Sequence, residues 1–268
     1  MITFDVFTPG KGLSDSAAAL DRQLVNEDPD MTYSQMMRFR LSGQAASECT
    51  DTYFIATQAG RYVARLWHGW GKHVNSIGNF GNFKTLESFQ RQGIGRKLLA
   101  MWHNDLTGRP DIPLALFCSS SQPHLVRLYG EYGFRPALRC AEGGPLYSPL
   151  GNSPDSFQEF CARYYSPAES LILRPASIGW RHEIDCLLKF YLLDHQRNAS
   201  LPGAVNLEYA LLHPEAGKAE LFFTDAGYCV GWAFTPAGGV RYCCLHPDYQ
   251  GLPVRGGKLP GERKDDLP

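Results

Sequence analysis

The stretch QRQGIGRKLL, residues 90–99, places Gly93 and Gly95 at the start of a segment that is apolar and basic. A glycine pair between a strand and a helix marks a place where main chain comes close to a ligand. That ligand is often phosphate, because the first N–H groups of a helix have no partner within it. Two other phosphate loops are excluded by spacing. The Walker A pattern GxxxxGK[ST] does not occur, and a dinucleotide-binding loop needs a third small residue where Leu98 stands.

The residues before this loop predict helices and then strands. Two short helices are expected between Ser14 and Gly43, separated by breakers around Pro29. The β-branched and aromatic run at 52–70 flanks a Gln-Ala-Gly turn and predicts an antiparallel hairpin. A weaker strand is expected at 76–85, and it leads directly into the glycine loop.

The residues after the loop predict a helix, a strand and a helix. The first helix has one buried face and is expected to end at Gly108. The apolar run PLALFC, 113–118, predicts a strand buried on both faces. Ser121 as N-cap and Pro123 in the first turn begin a second short helix, which Gly133 ends. This order predicts an α/β fold with a mixed sheet and flanking helices.

Two motifs carry a family resemblance. At Gln90-x-x-Gly93-x-Gly95 the sequence resembles the Arg/Gln-x-x-Gly-x-Gly/Ala signature of the GNAT superfamily of acyl-CoA-dependent N-acyltransferases. Downstream, LYGEYGF at 128–134 resembles the family's second signature, LYxxxGF. Both motifs stand in the family's order and cover about residues 50–136. The resemblance implies a GNAT-like acyl-CoA N-acyltransferase fold, in which the fourth and fifth strands separate and acetyl-CoA lies between them as cosubstrate.

The resemblance also implies a set of cofactor-binding residues. The main chain of 91–96 would bind the pyrophosphate, with both glycines keeping Cβ atoms out of its path, and the strand around 83–85 would bind the pantetheine. Gln122 stands where the family often has asparagine. The implied set is Phe83, Lys84, Thr85, Gln90, Arg91, Gln92, Gly93, Ile94, Gly95, Arg96, Gln122 and Tyr129.

The implied reaction is acetyl transfer to a primary amine of a small molecule or peptide. In the family a tyrosine of the second signature protonates the departing thiolate, and Tyr129 matches it; its position on an apolar helical stripe also suits packing. A general base is less evident. Glu87, His68 and His73 are near the expected strands, and each also suits a surface or structural role. A non-catalytic acyl-CoA-binding or regulatory module is the alternative interpretation.

The chain divides by composition into two units and a tail. Residues 1–147 form the predicted GNAT-like domain, and 148–169, with their prolines and serines, a predicted linker. In 170–254 a strand at 171–177, a helix at 182–195 and a hairpin at 219–234 predict a partial second copy. TDAGYCV in that hairpin resembles TQAGRYV in the first, but prolines bar the helix that should follow. Residues 255–268 are predicted to be a flexible tail.

Composition limits the partners. The formal net charge is −1, which leaves no basic excess for nucleic acid. No apolar run approaches membrane-spanning length, so no membrane partner and a cytoplasmic location are expected. The eight cysteines lack zinc-binding spacing, so no metal is expected. A homodimer is left open.

Overall fold

The computed structural model describes residues 1–10, 12–27, 32–137, 144–184 and 209–256. Most of the helix predicted at 182–195, and residues 257–268 of the predicted tail, lie outside them. Five helices have described bounds, namely α1 Asp15–Glu27, α2 Thr32–Leu41, α3 Ile94–Thr107, α4 Pro123–Gly130 and α5 Phe157–Tyr164. Seven strands form a first sheet, namely β1 Ile2–Phe7, β2 Cys49–Gln58, β3 Arg61–Gly71, β4 Gly78–Thr85, β5 Ala115–Ser120, β6 Arg135–Pro136 and β7 Gly144–Pro149.

The first sheet is mixed, as predicted. Its order is β1-β2-β3-β4-β5-β7-β6, and the described pairs are antiparallel except β4 with β5. The hairpin β2–β3, the strand β4 and the helices α1 to α4 confirm the element types read from the sequence. β1, β6 and β7 were not predicted. β1 pairs with β2 over its whole length, so the sheet extends beyond the predicted strands.

The two faces of the first sheet are covered by different helices. On one face, side chains of α3 pack with Phe54, Phe80 and Leu116, and Tyr129 of α4 joins the same core. On the other face, α1 and α2 pack against Tyr53 and other apolar residues of β2 and β3. The alternation of apolar side chains along each strand therefore supplies both helical layers.

One boundary of α4 was predicted wrongly. Gln122, not Ser121, is its N-cap, and no side chain caps the helix there. The helix ends at Gly130, and Gly133 follows in a turn with a φ of 91°. Pro123 at the first position sets the start because its fixed φ suits helix and its missing N–H is not needed there.

The predicted linker contains a packed helix. Ser156 caps α5, its hydroxyl accepting a hydrogen bond from the N–H of Glu159 at 3.1 Å. The buried side chains of α5 are Phe157, Phe160, Cys161 and Tyr164, and they share one core with both sheets. The division into domains at this segment stays a prediction, but the segment itself is not an exposed connection.

A second sheet follows α5. It consists of β8 Leu171–Pro175, β9 Gly217–Thr224, β10 Cys229–Pro236, β11 Tyr242–Leu245 and β12 Val254–Gly256, in the order β11-β10-β9-β8-β12. β8 to β11 are paired antiparallel, and β12 runs parallel to β8. Thus Arg255 and Gly256, the first described residues of the predicted tail, lie in a strand. Within the described residues no helix is both long and apolar enough to cross a bilayer.

Candidate cofactor cleft

β4 and β5 separate soon after they begin. They are paired at only two positions, Gly78 with Leu116 and Asn79 with Phe117. Beyond these pairs β4 continues along β3 to Thr85, whereas β5 continues along β7 to Ser120. Within the described residues, main-chain groups on the free edge of β4 beyond Asn79 therefore have no neighbouring strand. The gap between the two strands is here called the cleft.

β4 is irregular where it borders the cleft. Its register with β3 shifts between Arg65 and Trp67, and Asn82 has a φ of 50°. The Oδ1 atom of Asn82 accepts a hydrogen bond of 2.7 Å from Nε of Arg65, which holds the bulge in place. A bulge of this kind leaves a residue out of the ladder and bends the strand, here beside the cleft.

The glycine loop lies between the end of β4 and α3. A 3₁₀ turn at Glu87–Phe89 comes first, and Arg91 and Gly93 both have positive φ, 61° and 78°. Gly93 is the N-cap of α3. Its carbonyl accepts a hydrogen bond of 3.1 Å from the N–H of Lys97. Consecutive N–H groups that point outward from such a turn form an anion-binding concavity, so the loop suits a pyrophosphate.

Gly93 and Gly95 are each required for a different structural reason. No atom lies within 4 Å of where a Cβ on Gly93 would stand, and its positive φ is the constraint. A Cβ on Gly95 would lie 2.9 Å from Cζ of Phe83, which is tighter than ordinary contact. Gly95 therefore allows α3 to begin directly against β4, beside the cleft.

The basic residues of the loop have different environments. Arg96 forms a bidentate ion pair with Glu131, with Nη1 to Oε2 at 2.7 Å and Nη2 to Oε1 at 3.3 Å. Nζ of Lys97 lies 4.0 Å from the ring centroid of Phe4, a cation–π contact with β1. Arg91 is exposed. Positive charge is thus present at the loop, although that of Arg96 is partly neutralised.

Two predicted cofactor residues stabilise the loop through their amides. Nε2 of Gln90 donates to the carbonyl of Thr85 at 3.3 Å, and Nε2 of Gln92 donates to the carbonyl of Ser88 at 3.2 Å. Lys84, in β4, forms an ion pair of 3.0 Å with Glu27 of α1. These contacts place the three side chains in structural roles, while their main-chain groups border the loop and the cleft.

Tyr129 lies on the cleft side of α4 and is 5% exposed. Its ring contacts those of Phe80 and Phe83 in β4, with centroids 5.2 Å and 6.1 Å away. Burial raises its pKa, and the neighbouring thiol of Cys118 raises it further. The phenol therefore carries its proton throughout the neutral range. The structure brings Tyr129, Phe83 and Gly95 together, while Ile94 is buried beneath the loop in the core.

The other predicted residues are more dispersed. Glu87 is exposed in the 3₁₀ turn, and Gln122 is exposed at the start of α4. His68 is fully buried under α3, where its Nδ1 accepts a hydrogen bond of 3.0 Å from Nε1 of Trp102. Burial and nearby Arg109 lower the pKa of His68 to about 3, so it is a neutral core residue.

His73 lies at the opposite end of β3 from the glycine loop. Its Nε2 is 2.9 Å from Oε1 of Glu183, and its ring stacks on Trp180 with centroids 3.4 Å apart. It lines a cavity of about 290 Å³ together with Thr50, Ser76 and Asp111. The paired part of β4 and β5 separates this cavity from the cleft.

Residues 24–142 match the family described as an acetyltransferase (GNAT) domain. This segment is similar to that family and has a mixed α/β fold. It includes the glycine loop, the cleft and Tyr129, whereas the second sheet lies outside the matched segment.

Solved structures resemble just over half of the chain weakly. Escherichia coli ElaA is 15% identical with a TM-score of 0.41, and 55% of this chain aligns with 99% of that one. An acyl-CoA N-acyltransferase from Pseudomonas aeruginosa is 15% identical with a TM-score of 0.38, over 55% and 99% of the two chains. A GNAT family acetyltransferase from Elizabethkingia anophelis with acetyl-CoA bound is 18% identical with a TM-score of 0.35, over 56% and 98%. The chain matches no curated protein sequence.

Several residues that border the cleft were not predicted from the sequence. Asn79 is the last residue of β4 that pairs with β5, and Cys118 lies beside Tyr129. Glu131, which forms the ion pair with Arg96, lies within the motif LYGEYGF. The motif could have drawn attention to Glu131, whereas the position of Asn79 is evident only from the strand pairing.

Proposed function

We propose that the chain is an N-acetyltransferase that moves an acetyl group from acetyl-CoA to the primary amine of a small molecule or peptide. The separation of β4 from β5 after two paired positions carries this proposal, because it opens a cleft that ends at the glycine loop. The loop presents main-chain N–H groups for the pyrophosphate, and the free edge of β4 presents main-chain groups for the pantetheine, as a neighbouring strand would.

Tyr129 is proposed as the general acid. When bound, acetyl-CoA would supply an acyl group activated as a thioester. Direct attack by the amine in a ternary complex releases a thiolate, which needs a proton. The Tyr129 phenol lies against Phe80 and Phe83 of the cleft wall and holds its proton at neutral pH, so it is available as a donor.

Glu87 is proposed as the general base. An amine must lose its proton before it attacks, and Glu87 is the acidic residue of the turn that joins β4 to the glycine loop. Its exposure suits proton exchange with solvent and supports a role through one or more water molecules.

The test is a thiol-release assay with acetyl-CoA across polyamines, amino acids, aminoglycosides and peptide N-termini, with CoA affinity measured by calorimetry. Thiol release with at least one amine is expected. Gly93→Glu should abolish CoA binding, because it places a negative side chain and a strained φ in the anion loop. Unchanged CoA affinity in this variant would overturn the phosphate-site assignment.

A non-catalytic acyl-CoA-binding module is the second candidate. The close packing of Tyr129, 5% exposed among aromatic rings, favours it, because the same contacts would serve a purely structural tyrosine. Tight CoA binding without turnover on any amine of the panel would support this candidate over the enzyme.

We further propose that the second sheet is a degenerate copy of the first. The order β8-β9-β10-β11 repeats β1-β2-β3-β4, with antiparallel neighbours in both. A 3₁₀ turn, Glu87–Phe89 or Pro247–Tyr249, follows the fourth strand of each, and then a glutamine. The copies differ next, since β12 stands where α3 would begin. Within its described residues the second copy therefore lacks the anion loop, and its proposed role is to form the acceptor side of the cleft.

A further inference from the structure

Gly69 is the residue without a side chain in a row of three paired positions across the first sheet. In the strand register Asp51 of β2 lies opposite Gly69 of β3, and Gly69 lies opposite Asn79 of β4. The three positions share the face covered by α2, since Asp51 contacts Arg40 there. A Cβ on Gly69 would stand 3.0 Å from Nη2 of Arg40, so the guanidinium occupies the space that a side chain would fill.

Arg40 is only partly satisfied in this position. Its Nε donates to Oδ1 of Asp51 at 2.8 Å, and Nε1 of Trp67 donates to the same oxygen at 2.8 Å. The side chain is 0% exposed, and Nη1 and Nη2 have no hydrogen-bond partner among the described residues. Buried donors without partners are costly, which makes the Arg40 fork a strong candidate to bind an acceptor group.

Residues next to the second sheet complete a polar cluster around Arg40, made of Arg40, Asp51, Trp67, His182 and Glu183. The His182 ring lies 5.7 Å from that of Trp67, and both its nitrogens are buried without a partner in the described chain. Oε1 of Glu183 accepts from the N–H of Ile77 at 2.9 Å, and its Oε2 is buried without a described partner.

The polar cluster lies next to the point where the cleft begins. Asn79, opposite Gly69, is the last residue of β4 that pairs with β5. Ile77, which binds Glu183, precedes Asn79 by two residues and shares its face. The opposite face of the sheet is covered by α3 and α4, so the polar cluster and these two helices lie on opposite sides of the sheet.

We propose that the polar cluster binds the acceptor and selects molecules that carry a carboxylate beside the amine, as amino acids do. This inference rests on the proposed acetyl transfer but not on Glu87 as its base, because Glu87 follows the end of β4 that lies away from Asn79. Nη1 and Nη2 of Arg40 bind the carboxylate in a fork, His182 adds a hydrogen bond, and Oε2 of Glu183 accepts from the ammonium group.

Charge balance favours a zwitterion over a simple anion. Asp51 already pairs with Arg40 at 2.8 Å, so an anion alone would leave one buried charge without compensation. An amino acid brings one charge of each sign, and its ammonium group would face Oε2 of Glu183, whose Oε1 already contacts His73 and Ile77. Arg40 and His182 are fully buried, so entry requires residues 178–184 to move away from contacts such as Gly179 N–H to Oε2 of Glu48, 3.5 Å.

The experiment compares amino acids with the amines formed by their decarboxylation, in the presence of CoA, by thermal shift and calorimetry. Arg40→Lys keeps a charge beside Asp51 but removes the fork. Arg38→Lys on the exposed side of the same helix is the matched control. We expect the parent and Arg38→Lys to bind the amino acid about ten-fold or more tightly than its amine, and Arg40→Lys to lose this preference.

Equal binding of both molecules by the parent, or no binding of either, would overturn the inference. An equal loss of affinity for the amino acid and for its amine in Arg40→Lys would also overturn it, because a role of Arg40 in packing alone predicts that result. If Arg40→Lys does not fold by circular dichroism, His182→Phe serves instead and should reduce the preference for the amino acid. Failure of the proposed function is separate. It would show as no CoA binding or no thiol release while the preference for the carboxylate remains.

Discussion

Arg96 at the start of α3 and Glu131 just after α4 are joined by a bidentate ion pair, 2.7 Å and 3.3 Å, across the mouth of the glycine loop. Both side chains are more than half exposed, so the pair contributes little to stability. Its effect is on the loop. Glu131 holds the guanidinium towards α4 and adds a negative charge near a site that suits phosphate.

Replacement of this carboxylate should strengthen cofactor binding. In Glu131→Gln, Arg96 is free to turn towards the pyrophosphate, and a repulsive charge is removed, so CoA affinity should rise about three-fold at low salt. Calorimetry at low and high salt measures the change, which should shrink as salt screens it. Weaker binding in Glu131→Gln would mean that the ion pair instead orients Arg96 for the ligand.

Gly95→Ala should weaken CoA binding about ten-fold, because its Cβ would stand 2.9 Å from Cζ of Phe83 and force that ring or α3 to move. Gly130→Ala in α4 is the matched control, since no atom lies within 4 Å of its Cβ position. That control should be neutral or stabilising by about 0.5 kcal/mol. Equal CoA affinity in Gly95→Ala would show that the contact with Phe83 does not set the loop geometry.

Tyr129→Phe should lower kcat by about 10²- to 10⁴-fold with near-normal affinity for acetyl-CoA, because it removes the proton donor and keeps the ring packing. Tyr132→Phe, a partly buried neighbour whose ring packs on Trp102, is the control and should retain activity. Steady-state kinetics and calorimetry separate the two effects. Full activity in Tyr129→Phe would sink the general-acid assignment.

Glu27→Gln should lower the free energy of unfolding by about 1–2 kcal/mol at neutral pH. Burial raises the pKa of Glu27, but hydrogen bonds from Arg65 and Lys84 outweigh it and lower the pKa to about 2 from 4.5. The contribution is therefore present above pH 4.5 and lost as pH falls towards 2. Urea unfolding of parent and variant should show the gap narrow over that range. A gap that does not depend on pH would point to packing instead.

His68 predicts a second pH dependence at milder acidity. Its pKa falls to about 3 in the folded chain from 6.5, so the unfolded chain binds a proton that the folded chain does not. Stability should fall below pH 6.5, by about 2 kcal/mol between pH 7 and pH 5. His68→Gln, which can still accept from Trp102, should show a smaller loss on the same urea curves. An identical loss in both proteins would assign the effect to other groups.

The sequence predicts local features well and long-range pairs poorly. Gly93, Tyr129 and the β2–β3 hairpin each follow from patterns within a few residues. The partner of Arg96 is 35 positions away, and that of Glu183 at Ile77 is 106 positions away, so neither follows from periodicity. β1 has an alternating pattern, ITFDVF, but its pairing with β2 joins residues about 50 positions apart and does not follow from that pattern.

The candidate site shows the same limit. Both glycines were assigned one purpose from sequence, whereas Gly95 is also required by the ring of Phe83. His68 has a residue type suited to a general base, and only its burial under Trp102 shows that it is structural. Arg40 and His182 belong to no motif, because tertiary contacts with Asp51 and Trp67 place them in the polar cluster.

The packing of α5 has a consequence for how the cleft can change over time. Phe117 is hydrogen-bonded into the wall of the cleft, but its ring rests on Phe157 and Phe160 of α5, 5.8 Å and 6.1 Å away. A substitution under α5 can therefore shift the spacing of β4 and β5 without touching a residue that meets the ligand. On the proposed function, acceptor preference would then change through the supporting core while every residue of the glycine loop stays the same.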